Sequence, residues 1–157
     1  MKNQSGQTII EVLVATAIVS VLLVSLLILG TNSLKSTNYA KDLNRATEYS
    51  NQAADWIRSR KEAEGWETFL STLEEDTTGN QVSYCLDTLI EDSSAFRALE
   101  GGSCGPEDTI SQTIYTRYID FDLSSSASGI ISATITTQWQ DNAVRHATVY
   151  ITLAQWK

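Results

Sequence analysis

At 157 residues, the chain has room for one small folded domain beyond a membrane segment and is too short for two. The formal net charge is −8 at pH 7. From Lys35 onward, ten Lys and Arg stand against eighteen Asp and Glu. An acidic surface repels phosphate groups, and the sequence has no basic stripe interleaved with aromatic residues, so nucleic acid is not expected as a partner.

An apolar run extends from Ile9 to Gly30, and Glu11 is its only charged residue. About 20 apolar residues in a helix match a hydrocarbon core of roughly 30 Å. The run lacks the features of an ordinary secretory signal, because only Lys2 precedes it and no convincing small-residue cleavage site follows. A carboxylate within a membrane span is costly and usually marks a function with a specific partner. The sequence therefore predicts a membrane-inserted helix in which Glu11 meets a cationic group.

The segment SGQTIIEVLVA, residues 5–15, resembles the cleavage and methylation segment of type IV prepilins. In that family a short polar leader ends in Gly, and the fifth residue of the mature chain is a Glu; Gly6 and Glu11 occupy these positions. The resemblance implies cleavage by a prepilin peptidase between Gly6 and Gln7, N-methylation of Gln7, and retention of the helix for assembly. Gln7 departs from the Phe or Met that is most common at the first mature position.

The resemblance also implies the partners. The amine of one subunit would meet Glu11 of its neighbour in a filament core, where a low dielectric strengthens a well-placed pair. Other pilin subunits, the prepilin peptidase and an inner-membrane assembly platform are the expected proteins, and the membrane holds the subunit before assembly. The expected location is therefore a single-pass membrane protein that becomes an extracellular or envelope filament. The alternative is a signal-anchor in which Glu11 is accidental.

Residues 31–63 contain neither Pro nor Gly, and their apolar residues recur at steps of three and four. This spacing predicts an amphipathic helix that continues the membrane helix, giving one helix from about Thr8 to Ala63 that stops at Gly65. The predicted apolar face comprises Leu34, Tyr39, Leu43, Ala46, Tyr49 or Ser50, Ala53 and Ile57.

The remaining segments predict short helices and an antiparallel sheet. Residues 65–75 suit a short helix, residues 82–86 a short strand and residues 94–99 a helical turn. Residues 114–123, 130–139 and 144–153 alternate apolar and polar residues, which indicates strands; residues 140–143 form the turn of the last hairpin. The predicted fold class is α+β and pilin-like, with the long helix packed on a small antiparallel sheet. The predicted divisions are a leader (1–6), a membrane and filament-core helix (7–30) and a globular head (31–157).

Cys85 and Cys104 are the only cysteines, and both lie in the part that would face an oxidising exterior. A disulfide between them is predicted, and two free buried thiols are the alternative. Nothing but sheet is predicted after Cys104, so the carboxyl-terminal disulfide loop of many major pilins is not expected here.

Catalytic chemistry has little support in the sequence. The single histidine, His146, has no second histidine or thiol partner, and a solvated position on a strand is predicted for it. Asp120 and Asp122 share one face of a strand and, with Ser124, are similar to the start of a calcium loop. However, Ser125 and Ile131 stand where that loop needs Gly and Glu. We therefore predict no enzyme activity, no cofactor and no metal.

These features predict a minor pilin or pseudopilin, a structural subunit of a type IV pilus or of a type II secretion-like filament. Ile28 stands where major pilins usually have a helix-breaking Pro, and Ser20 where they often have Gly, which favours a minor role. A monomeric membrane-tethered binding domain is the alternative from another class, and a DNA-uptake pilin is disfavoured by the acidic charge. Pilus, secretion and competence filaments share this architecture, so the sequence does not distinguish them.

Overall fold

A computed structural model describes residues 5–77, 79–89, 102, 104–105, 107–141 and 143–156. A long helix is followed by a short helix and a four-stranded antiparallel sheet, which confirms the predicted α+β class. The chain falls into two units, the first ending at Asp42 and the second beginning at Leu43. The elements are α1 (Ser5–Glu64), α2 (Trp66–Glu75), β1 (Gln81–Cys85), β2 (Tyr115–Asp122), β3 (Ile130–Asp141) and β4 (Ala143–Ala154).

Helix α1 ends where the sequence predicts. Its 60 residues contain no Pro, so no backbone donor is missing from the helical ladder. Gly65 has a φ of +80°, a conformation that other residues rarely adopt, and its N–H still donates to the Lys61 carbonyl at 3.1 Å. The Gly65 carbonyl in turn accepts from the N–H of Phe69 at 3.1 Å. One glycine thus ends α1 and begins α2.

The four strands are neighbours in chain order, and each pair is antiparallel. The short strand predicted at residues 82–86 is β1, the edge strand beside β2. The predicted turn at residues 140–143 was too wide, because Gln140 already pairs with Val144 and Asp141 with Ala143. The ladder continues almost to the tip, since each added pair satisfies backbone groups that a wider loop would leave to solvent. The helical turn predicted at residues 94–99 lies outside the described residues.

Two groups of buried side chains fill the space between the helices and the inner face of the sheet. The larger core joins α1 and α2 to all four strands, and Ile57, Phe69 and Ile135 are each fully buried in it. The smaller core comprises Ala46, Ile110, Tyr115, Trp139 and Ala147. The predicted apolar face of α1 is covered from Leu43 onward, whereas Leu34 is 67% exposed and Tyr39 39%.

A buried polar layer separates the two cores. Ser50 lies between Ala46 and Ala53 on α1, and its hydroxyl is 2.8 Å from that of Thr137 on β3; both residues are fully buried. Buried polar groups are costly unless they are hydrogen-bonded, and here one hydroxyl donates to the other. This pair fixes the position of α1 along β3 in a way that apolar contacts alone do not.

Arg117 on β2 completes the polar layer, and it is 1% exposed. Its Nε donates to the Leu86 carbonyl at 3.1 Å and its Nη1 to the Tyr49 carbonyl at 2.9 Å. Burial lowers the pKa of Arg117 to about 10, and the negative charge of Asp87 partly opposes this shift. Arg117 therefore joins the helix to the sheet through charge-assisted hydrogen bonds.

Candidate functional site

The amino-terminal part of α1 exposes apolar side chains on all of its faces. From Ile9 to Leu29, the large apolar residues are between 53% and 69% exposed. None of this apolar stretch is buried against the rest of the described chain. By length and composition this helix is long and apolar enough to cross a membrane.

Three hydroxyl side chains in this apolar segment are satisfied by the helix itself. Thr16 donates to the Leu13 carbonyl at 3.0 Å, Ser20 to the Thr16 carbonyl at 2.8 Å, and Ser25 to the Val21 carbonyl at 2.8 Å. A polar group in lipid must find its partner within the protein, and such back-bonding provides one. These hydroxyls are therefore compatible with a hydrocarbon environment, because each hydroxyl hydrogen already has an acceptor within the helix.

Glu11 is the exception in the apolar segment. It is exposed, and within the described residues it has no hydrogen-bond or ion-pair partner. The backbone places Gly6, Gln7 and Glu11 within the first two turns of α1. A carboxylate in an apolar segment usually marks a function with a specific partner, and among the described side chains α1 supplies none to Glu11. The roles in processing, methylation and assembly that the sequence suggested for these three residues stay predictions.

The predicted disulfide is confirmed. Cys85 at the end of β1 is bonded to Cys104, and their Cα atoms are 5.0 Å apart. The backbone N–H of Gly102 donates to the Ser83 carbonyl at 2.8 Å. Cys104 and Gly102 are thereby each held to β1, the first by a covalent bond and the second by a backbone hydrogen bond.

Beside the disulfide lies a cleft of about 330 Å³ on the outer face of the sheet. The residues that line it from the strands alternate with buried residues of the inner face, so their side chains lie on the face opposite α1. In the cleft the Ser83 hydroxyl donates to the Asp120 carboxylate. Among the residues that the structure describes, those lining the cleft are Ser83, Gly102, Cys104, Tyr118, Asp120 and Gln138.

Of the residues in this cleft, only Asp120 and Cys104 stand out in the sequence, Asp120 because with Asp122 it is similar to the start of a calcium loop. Asp122 instead accepts a hydrogen bond from the Ser124 N–H at 2.9 Å, which holds the pKa of its carboxyl below the usual value. The sequence did not indicate Ser83, Tyr118 and Gln138. They lie on three different strands, and only the pairing of those strands brings them into one cleft. His146 is exposed on β4, as predicted.

The comparisons with known proteins single out the amino-terminal segment. The family model described as Prokaryotic N-terminal methylation motif matches residues 1–30. Neither the comparison with curated proteins nor that with solved structures gave a significant match. The motif is typical of type IV pilins, whose precursors are processed by prepilin peptidase and assemble with other pilins. It agrees with the long apolar helix, and proteins of this kind are generally structural and non-catalytic.

Proposed function

We propose that this type IV pilin-like precursor is a minor pilin or pseudopilin, a non-catalytic subunit of a pilus or of a type II secretion-like filament. The proposed divisions are a leader of residues 1–6, a membrane and filament-core helix of residues 7–30, and a head of residues 31–157. Helix α1 has no break at Ser20 or Ile28, which supports a minor role because major pilins usually carry helix breakers there.

The proposal is carried by Glu11, an exposed carboxylate within a methylation motif that has no partner in the described chain. Cleavage between Gly6 and Gln7 would create a positively charged amine at Gln7. The amine and Glu11 belong to the same short segment, so identical or related helices packed side by side can bring the amine of one to the carboxylate of the next. In such a pair the amine and the carboxylate neutralise each other, which removes the free-energy cost of an unpaired charge in a medium of low dielectric.

The uncovered surface of α1 supports the same assembly. An apolar helix that is exposed on every side needs lipid or other helices around it. Before assembly the membrane supplies this environment, and in a filament neighbouring subunits would supply it. The prepilin peptidase and an inner-membrane assembly platform are the proteins required at the transfer between the two environments.

Replacement of Glu11 tests the proposal. Glu11→Ala should leave membrane insertion and cleavage intact and reduce the fraction of subunit in sheared filaments by about tenfold or more, because an unpartnered amine would cost several kcal/mol. Ser20→Ala is a matched control, since the Ser20 hydroxyl is satisfied within its own helix. The measurement is the subunit found in sheared filaments relative to the subunit found in membranes. Equal incorporation of Glu11→Ala and wild type would contradict the role of Glu11 in assembly. Absence of the wild-type subunit from sheared filaments would instead favour a tethered monomer that binds a ligand through its head.

A further inference from the structure

We propose that the cleft beside the Cys85–Cys104 disulfide binds a primary ammonium group, and that its occupant is a lysine side chain of a partner protein. The cleft has a volume of about 330 Å³, which is at the lower end of the range for small-ligand sites. It lies on the second unit of the chain, far along the sequence from the assembly segment. The inference therefore does not depend on filament formation.

The hydrogen-bonding groups of the cleft match those of an ammonium. The Ser83 hydroxyl donates its single hydrogen to Asp120, so its lone pairs are left to accept a hydrogen bond. The Asp120 carboxylate has further acceptor sites, and the Gln138 amide oxygen provides another. Lysine presents three N–H donors and no acceptor. Ser83 and Asp120 thus offer adjacent acceptors to a group that only donates, and Gln138 adds an acceptor elsewhere in the same cleft.

The charge of this face favours a cation. Asp120 is half-buried, and within the described residues it has no ion-pair partner. The strand residues that share its face include a second carboxylate, Asp122, and no Lys or Arg. The whole chain carries a formal charge of −8. An anionic ligand would meet repulsion here, whereas an ammonium close to Asp120 would be attracted by its negative charge.

The remaining walls suit the apolar stem of a lysine. Tyr118 contributes an aromatic ring two residues from Asp120, and Cys104 contributes the disulfide. A lysine side chain buries its methylene groups against such surfaces while its ammonium reaches a polar site. An ammonium near an aromatic ring gains a further cation–π attraction. A neutral sugar would use the same polar groups but would gain nothing from the charge of this face.

The test uses the full chain in neutral detergent micelles and two matched probes, Nα-acetyl-lysine amide and Nα-acetyl-norleucine amide. These probes differ only in the ammonium. Titration followed by nuclear magnetic resonance should show saturable millimolar binding of the lysine probe and binding of the norleucine probe that is about tenfold weaker or weaker still. Raising the salt concentration from about 20 to about 300 mM should weaken lysine binding severalfold, because the charge pair is partly screened.

Variants locate the site. Asp120→Asn keeps an acceptor for Ser83 and removes the charge, so lysine binding should fall about tenfold. Asp122→Asn is the matched control, because Asp122 lies on the same face of the same strand but does not line the cleft; binding should change less than about twofold. Gln138→Glu adds a second carboxylate and should strengthen binding severalfold, which keeps the test decisive if Asp120→Asn folds poorly.

Three results would overturn the proposal. The first is equal binding of the two probes, which would make the cleft an apolar recess. The second is an unchanged affinity in both Asp120→Asn and Gln138→Glu. The third is the absence of saturable lysine binding, with or without binding of a neutral methyl glycoside. Loss of lysine binding on reduction of the disulfide would support the proposal, because Gly102 and Cys104 form one wall of the cleft.

Discussion

The two ends of α1 share one backbone geometry but differ in what covers them. From Ile9 to Leu29 the large apolar side chains are at least 53% exposed, whereas Ala46, Ala53 and Ile57 are fully buried against the sheet. In both regions the backbone groups are satisfied within the helix. The difference therefore lies in the side chains: the second region finds its covering layer in its own chain, and the first requires lipid or other molecules. Changes in one region should leave the other intact, and the predictions below test that independence.

The largest effect is expected at the proposed processing site. Gly6→Val places a branched side chain at the bond to be cleaved and should abolish processing, leaving Met1 at the amino terminus. Gly30→Ala is the control within the same helix, because nothing lies within 4 Å of an added Cβ at that position. Intact mass of the membrane-extracted protein distinguishes the two forms. A mature mass for Gly6→Val would contradict the proposed cleavage, and an unfolded head in that variant would break the independence of the two regions.

The next effect concerns the polar layer of the second region. Arg117→Ala removes a fully buried side chain together with its bonds to the Leu86 and Tyr49 carbonyls, and should lower the free energy of unfolding by about 3 to 5 kcal/mol. Arg58→Ala is the control, since Arg58 pairs with Asp55 at the surface and should change stability by less than about 1 kcal/mol. Denaturant unfolding monitored by tryptophan fluorescence measures both. Equal destabilisation by the two variants would contradict the structural role of Arg117.

Reduction of the disulfide should have a somewhat smaller effect. The Cys85–Cys104 bond closes a loop with a sequence separation of 19 residues, and its loss should cost about 2 to 4 kcal/mol. Masses after alkylation with and without reductant show whether the thiols are protected, and thermal unfolding measures the cost. Full alkylation without reductant, in protein made in an oxidising compartment, would contradict the bond. Membrane insertion should be the same in both redox states.

The smallest effect appears at alkaline pH. Burial, and then the hydrogen bond and charge of Asp76, raise the pKa of Tyr84 above its ordinary value of 10.0. As pH rises, the phenol of Tyr84 therefore loses its proton in the unfolded chain before it does so in the folded chain. The contribution of Tyr84 to the free energy of unfolding is complete below pH 10. Above pH 10 it falls by at most about 1.4 kcal/mol per pH unit. The lowered pKa of Arg117 acts in the opposite direction over the same range. The effect of Tyr84 is therefore isolated by comparing a variant with wild type.

Tyr84→Phe removes the hydrogen bond to Asp76 and should lower the free energy of unfolding by about 1 kcal/mol at pH 8. Above pH 10 the difference in unfolding free energy between wild type and variant should become smaller. The wild type loses stability there as the Tyr84 phenol titrates in the unfolded chain, and the variant has no phenol at this position. Tyr150→Phe is the control, since Tyr150 is 77% exposed. Unfolding at a series of pH values measures the gap, and a gap that is constant with pH would contradict the shifted pKa.

Much of the fold could be predicted from the sequence, because its strongest signals are local. An uninterrupted apolar run, a glycine at the end of a helical pattern and period-two alternation each depend on neighbouring residues. They gave α1, its end at Gly65 and strands β2, β3 and β4. The methylation motif is equally local, since it is a short fixed spacing of Gly6 and Glu11 that the family model matches. The alternation of apolar and polar residues predicted too long a turn between β3 and β4, because strand pairing extends to Asp141 and Ala143.

Only the tertiary structure decided which distant residues meet. In the sequence, Thr137 is one of several threonines in an alternating strand, and Arg117 is an ordinary cation of a strand. Both lie in the buried polar layer only because the helix packs on the sheet. Likewise, Ser83 and Gln138 join Asp120 in one cleft because the registers of β1, β2 and β3 bring them together. Packing and strand register are set by the free energy of the whole chain, so no short segment of sequence carries them.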